Sequence, residues 1–146
     1  MQFKDGLVGE LSDAHIPVFG MEFVLNKEQS MVLDFHKRFS VKIQTSPRLL
    51  DEKTTKLRHD LIAEELDEFR MAAHERNLVK VADAIADMLY VVYGTAVSYG
   101  IDIEPVFAEV HHSNMSKSDP EVIRAPNGKV LKGANWSPPN IEEKLR

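Results

Sequence analysis

Apolar positions recur at helical spacing through most of the chain. In KEQSMVLDFHKRF, residues 27–39, Met31, Phe35 and Phe39 lie on one stripe, and Asn26 stands ahead of them as an N-cap, which predicts a first helix. Ser46-Pro47 interrupts the pattern. A second helix is expected to begin between Ser46 and Asp51 and to run to about Asn77, carrying Leu50, Leu57, Leu61, Ile62, Leu66 and Phe69. A third, from about Leu78 to Tyr99, carries Val81, Ile85, Met88, Leu89, Val92 and Ala96 and ends at Gly100 as a left-handed cap. Asp102 caps a fourth, with Pro105 in its first turn. Beyond Ser118 turn formers dominate: Asn127-Gly128 predicts a tight turn, and a short last helix follows Ser137-Pro138. Residues 1–25 show no helical period and read as an extended or irregular arm, placed to pack on a partner subunit.

These elements predict an all-α bundle of four to five helices in one domain spanning residues 1–146, with 118–146 as a C-terminal loop and short helix. The third helix is apolar nearly all round, and four helices are too few to cover it, so the bundle should be completed by oligomerisation into a homodimer or homotetramer.

Charge breaks the apolar pattern at particular places. Glu64, Glu65 and Glu68 interrupt the second helix, while Asp83 and Asp87 sit one turn apart on the third. The short AHERN connection makes these helices antiparallel neighbours, so their carboxylates are expected to converge. Like charges gathered in a partly dry site repel unless a cation or a proton offsets them. An all-oxygen set selects a hard ion, Mg²⁺ first and Mn²⁺ second. The competing readings are a solvated acidic face for EELDEF and, for Asp87, a structural ion pair with Arg58, Arg70 or Lys80. From Ala84 to Val97 Asp87 is the only charged residue, and it is expected to be buried. Periodicity alone leaves metal and ion pair equal.

Composition removes several function classes. The chain has 146 residues, no cysteine and a formal net charge of -5. Disulfides, thiolate zinc sites and a cysteine nucleophile are excluded, and a cytoplasmic location is expected. The acidic balance speaks against a nucleic-acid partner, which would need clustered cations for the phosphates. The N-terminus lacks the apolar run of a signal peptide, and no window is expected to reach the ~20 apolar residues of a membrane span.

With these residues in view, EELDEF, DAIADMLYVVYGTAVSYGID and VFAEVHHSNMSK resemble the all-α nucleoside triphosphate pyrophosphatase superfamily over roughly residues 27–140. The similarity is to its MazG-like and dimeric dUTPase-like branches, which are related to phosphoribosyl-ATP pyrophosphohydrolase. The signature implied is Glu-x-x-Glu on one helix and Glu-x-x-Asp on the next, together holding Mg²⁺. Glu65 and Glu68 match the first pair, Glu64 an additional acidic position, and Asp87 the final Asp. The glutamate expected three residues before Asp87 is Ala84 here. Asp83 lies one residue earlier, rotated by about 100°, and is the expected substitute ligand.

The resemblance implies Mg²⁺-dependent hydrolysis of a nucleoside triphosphate between its α and β phosphates, giving the monophosphate and pyrophosphate. Glu64 is the expected base, and dUTP the first substrate, followed by other deoxynucleotides, modified nucleotides and phosphoribosyl-ATP. His111, Asn114 and Lys117 form a line at the end of the fourth helix that is family-like as a polyphosphate contact; helix capping is its structural alternative. Tyr90 and Tyr93 are weighed between base pocket and core, and Lys129, Lys132 and Arg124 between a basic loop over phosphates and a solvated hairpin. Trp136 is expected to pack that segment down. Two other classes stand beside the enzyme: a redox di-metal bundle, which needs Glu-x-x-His motifs absent near these carboxylates, and a non-catalytic helical interaction module.

Overall fold

The computed structural model describes residues 25–118 and 121–146. The arm expected over residues 1–25 therefore lies, apart from Leu25, outside the described residues. Five α-helices follow in order: α1 Lys27–Arg38, α2 Glu52–His74, α3 Leu78–Tyr99, α4 Ile103–Met115 and α5 Ile141–Lys144, with a 3₁₀ turn at Ser116–Ser118 after α4. Among the described residues there is no strand, only one antiparallel bridge between Arg124 and Val130 around the Asn127-Gly128 turn. The fold is all-α.

Each long helix starts where a side chain satisfies its free amides. Asn26, Asp51, Asn77 and Asp102 accept from the first turns of α1, α2, α3 and α4 respectively. The second helix starts at Glu52 because the preceding segment is committed elsewhere: Gln44 and Arg48 donate their backbone amides to Val97 and Tyr99, capping the end of α3. Gly100 closes that end at φ 69°, and a Cβ there would lie 2.3 Å from the Ser46 carbonyl oxygen. No other residue fits that position.

The helix α3 packs against α2 and α1, whereas α4 packs mainly on α5 and the 3₁₀ turn. The α2–α3 pair is an antiparallel hairpin whose register is set by Arg58 lying against Gly94. From that level Glu65 and Asp87 each lie seven residues along their helices toward the connection, so they face one another across the seam. Helix α1 is tied to the far end of α3 through buried Gln29, which donates to the Ile101 carbonyl at 2.6 Å and accepts from the Ile103 amide at 3.1 Å.

The fully buried apolar residues are small ones, Val32, Ala72, Ala84, Ala96 and Val97. Many of the larger apolar residues counted on the predicted stripes remain exposed in the single chain, including Met31, Phe35, Phe39, Ile85, Leu89 and Val92. This corrects the expectation of a largely buried third helix: α1 and α2 cover only part of its circumference. A second correction concerns the membrane test. By length and composition alone α3 is long and apolar enough to cross a bilayer, contrary to the expectation that no window would be, although two aspartates and two packed helices occupy its flanks.

Candidate metal and nucleotide site

Three carboxylates meet at the α2–α3 seam. One oxygen each from Glu65, Glu68 and Asp87 lies within 4.8 Å of the other two. Opposite ligands of a Mg²⁺ ion stand roughly 4.2 Å apart, twice the usual Mg–O distance, so small side-chain rotations would bring these oxygens onto one ion. The donor set is oxygen throughout and suits Mg²⁺ or Mn²⁺.

Electrostatics agree with a cation-seeking site. Glu65 is partly buried, and its carboxyl is held above the ordinary value first by desolvation and then by repulsion from Asp87, Glu68, Glu64 and Asp83. The ion-pair reading of Asp87 is corrected by the geometry. Arg58 is buried and donates to the Val91 carbonyl and Thr95 hydroxyl, Arg70 pairs with Asp67 at 3.1 Å, and Lys80 pairs with Glu75 at 2.6 Å. None of them pairs with Asp87, and among the described residues no salt bridge reaches Glu64, Glu65, Glu68, Asp83 or Asp87. Asp87 is also exposed in the single chain rather than buried, since nothing described packs over that face of α3.

The structure does not bring every expected acid into the group. Glu64 and Asp83 are exposed and stand outside the three-carboxylate set, near enough only to repel Glu65. The register explains Asp83. Asp83 shares a face of α3 with Asp87 but lies one turn nearer the connection, at the rim of the seam, while Ala84 beside it, 3% exposed, is packed at the level of Glu68.

Tyr90 lies one turn beyond Asp87 and is partly exposed, meeting the Phe35 ring edge-on at a centroid separation of 5.6 Å; Phe39 continues this aromatic row. His111 and Asn114 are exposed on α4, with Lys117 in the 3₁₀ turn. Since α4 does not pack appreciably on α2, the single chain does not bring this line onto the carboxylates. Lys129 is exposed beside the Asn127-Gly128 turn, and the Lys132 ammonium sits 3.5 Å from the centre of the Trp136 ring.

Two features went unread in the sequence. One is the Lys132–Trp136 contact, for which spacing four residues apart in a turn-rich stretch is no signal. The other is a buried polar cluster below the carboxylates: Arg58 (6% exposed) and His36 (2% exposed) close on Gly94, with His36 Nδ1 donating to the Lys42 carbonyl at 2.9 Å. A glycine inside an otherwise apolar helix was the available hint, because it marks a close approach.

The family model described as phosphoribosyl-ATP pyrophosphohydrolase, PRA-PH, matches residues 32–114, from α1 to the last turn of α4. The chain belongs to this family. The match contains the three converging carboxylates together with His111 and Asn114, and it supports nucleotide pyrophosphohydrolase activity in general terms. Pyrophosphatases of this MazG-like kind generally use a divalent metal. A stretch of 59 residues is 46% identical to Uncharacterized protein L479 of Acanthamoeba polyphaga mimivirus, taking in 39% of this chain and 24% of the viral protein. The aligned stretch thus spans about a quarter of that relative's length.

Proposed function

We propose that this PRA-PH family member is a Mg²⁺- or Mn²⁺-dependent nucleoside triphosphate pyrophosphohydrolase that cleaves between the α and β phosphates. The observation that carries the reading is the convergence of Glu65, Glu68 and Asp87 without a cationic partner among the described residues. A bound divalent ion supplies charge neutralisation of the phosphate oxygens and acidification of a water ligand. Glu65, Glu68 and Asp87 hold and orient that ion. Glu64, outside the ligand group but on the same helix, is left to accept the proton of the attacking water. Asp83, outside the ligand group, extends the negative field around that ion.

The preferred substrate in this reading is dUTP or another deoxynucleoside triphosphate. The family's own description favours phosphoribosyl-ATP as the second substrate to test. His111, Asn114, Lys117, Lys129 and Lys132 contact the polyphosphate, and Tyr90 borders the base. Because these cations lie on α4 and the segment after it, and because α3 is incompletely covered, the working form is a homodimer or homotetramer in which helices of a second copy close the site.

A pyrophosphate-release panel over common ribo- and deoxynucleoside triphosphates and phosphoribosyl-ATP, with Mg²⁺, Mn²⁺ or EDTA, tests this. Metal-dependent release from at least one substrate is expected. No release from any of them refutes the activity.

A further inference from the structure

Residues beyond α4 are not a free tail. The Ser113 hydroxyl donates to the Ser137 carbonyl at 2.7 Å, and the Ser137 amide donates to the Ser116 hydroxyl at 2.9 Å. Farther on, the Asn140 amide donates to Glu109 at 2.8 Å, and Lys144 pairs with the same carboxylate. Trp136 is thereby fixed against the end of α4, next to the 3₁₀ turn that carries Lys117. Its indole Nε1 is buried and has no acceptor among the described residues, an arrangement that fold stability does not reward. Its ring face instead carries the Lys132 ammonium at 3.5 Å.

Neither Lys132 nor Lys117 forms a salt bridge among the described residues, although both lie in a chain of net negative charge. A cation held on an aromatic face keeps its charge, loses rotamer freedom and retains N–H donors that the ring does not use. Lys117, in the turn at the same end of α4, adds a second cation, and an anion bearing several charges gains from both. The acids at the α2–α3 seam show the opposite imbalance. Together they match the two halves of a metal-polyphosphate ligand.

We propose that Trp136 is a positioning residue for Lys132, and that the Lys132–Trp136 pair with Lys117 forms a preset clamp for the pyrophosphate end of the substrate. This rests on the nucleotide pyrophosphohydrolase reading above and names the part of the substrate this segment holds. Inorganic pyrophosphate, which presents that end alone, is the probe.

Trp136 is the only tryptophan in the chain, so its emission reports directly on the cation above it. Titrating the full-length protein with inorganic pyrophosphate in the presence of Mg²⁺ should produce a saturable change in tryptophan emission as Lys132 turns from the ring to the anion. Lys132→Met should shift the resting emission and abolish the response, and should raise KM for the triphosphate at least tenfold with a smaller change in kcat. Trp136→Phe, which preserves an aromatic face, should retain most of the wild-type KM, whereas Trp136→Ala should not. A flat titration in the wild type overturns the clamp, as does a response that survives Lys132→Met or is matched by sulfate at the same concentration. The optical titration requires no turnover, so a protein that binds pyrophosphate but releases none from any triphosphate refutes the activity and not the clamp.

Discussion

Replacing Gly94 by Ala tests the packing under the carboxylates, because two effects of opposite sign compete there. Gly94 lies inside α3 without a positive φ, so its backbone does not require glycine. On helix propensity alone Gly→Ala should stabilise by about 0.8–1 kcal/mol. Against this, the new methyl carbon would lie 2.6 Å from Arg58 Nη2 and 3.0 Å from His36 Nε2. Arg58 is a flexible side chain and can withdraw, but withdrawal breaks its 3.1 Å bond to the Val91 carbonyl in a buried position. A hydrogen bond to a charged group contributes about 1.5–3 kcal/mol, and overpacking costs about 1–3 kcal/mol. The two costs overlap, since moving Arg58 is what relieves the clash. The net expectation is a loss of about 1–2 kcal/mol. For a domain of this size that lowers Tm by roughly 3–7 °C. Thermal and urea unfolding at fixed protein concentration measures it. The double mutant supplies the control: in an Arg58→Met background, where Val91 still accepts from the Thr95 hydroxyl at 2.8 Å, Gly94→Ala should cost much less. A Gly94→Ala variant that melts at or above the wild type would show that propensity wins and that Arg58 does not rest on this glycine.

The same cluster predicts a pH dependence. His36 is held below its ordinary pKa of 6.5 mainly by burial, with the charge of Arg58 adding to the effect and the Lys42 carbonyl opposing it. The folded state therefore binds fewer protons than the unfolded state once pH falls through about 6.5, so stability should decline below that pH, and His36→Gln should flatten the decline in a Tm-versus-pH series. Mg²⁺ at ten times its Kd should stabilise the protein by roughly 1.4 kcal/mol. Glu68→Gln and Asp87→Asn should remove that thermal shift along with turnover, and unchanged melting in millimolar Mg²⁺ would refute the metal site. Asp83→Asn should keep most of the thermal shift, because Asp83 stands outside the converging group; loss equal to that of Asp87→Asn would show it to be a direct ligand. Light scattering at micromolar concentration should give a mass at least twice the 16.5 kDa of one chain, and an active monomer would refute the proposed assembly.

The helices were legible in the sequence because their signals are local. Asn26, Asp102 and Gly100 each act on amides or carbonyls within a turn of themselves, and the structure uses all three as caps. The short AHERN connection also marked α2 and α3 as an antiparallel pair, with acids on both. Three questions depended on distant parts of the chain and were decided by tertiary packing. Spacing could not distinguish Asp83 from Asp87, since they lie one turn apart on one face of α3; the register set by Arg58 on Gly94 put Asp87 at the level of Glu65 and Asp83 one turn farther along, outside the converging group. Nor could composition tell whether Arg58, Arg70 or Lys80 would neutralise Asp87, because that depends on which partners lie nearer, and each of them found another. Apolarity likewise marked α3 as a helix to be covered without saying by what. Two helices shield a helix over only part of its circumference, and the rest of α3 remains as exposed Ile85, Leu89 and Val92.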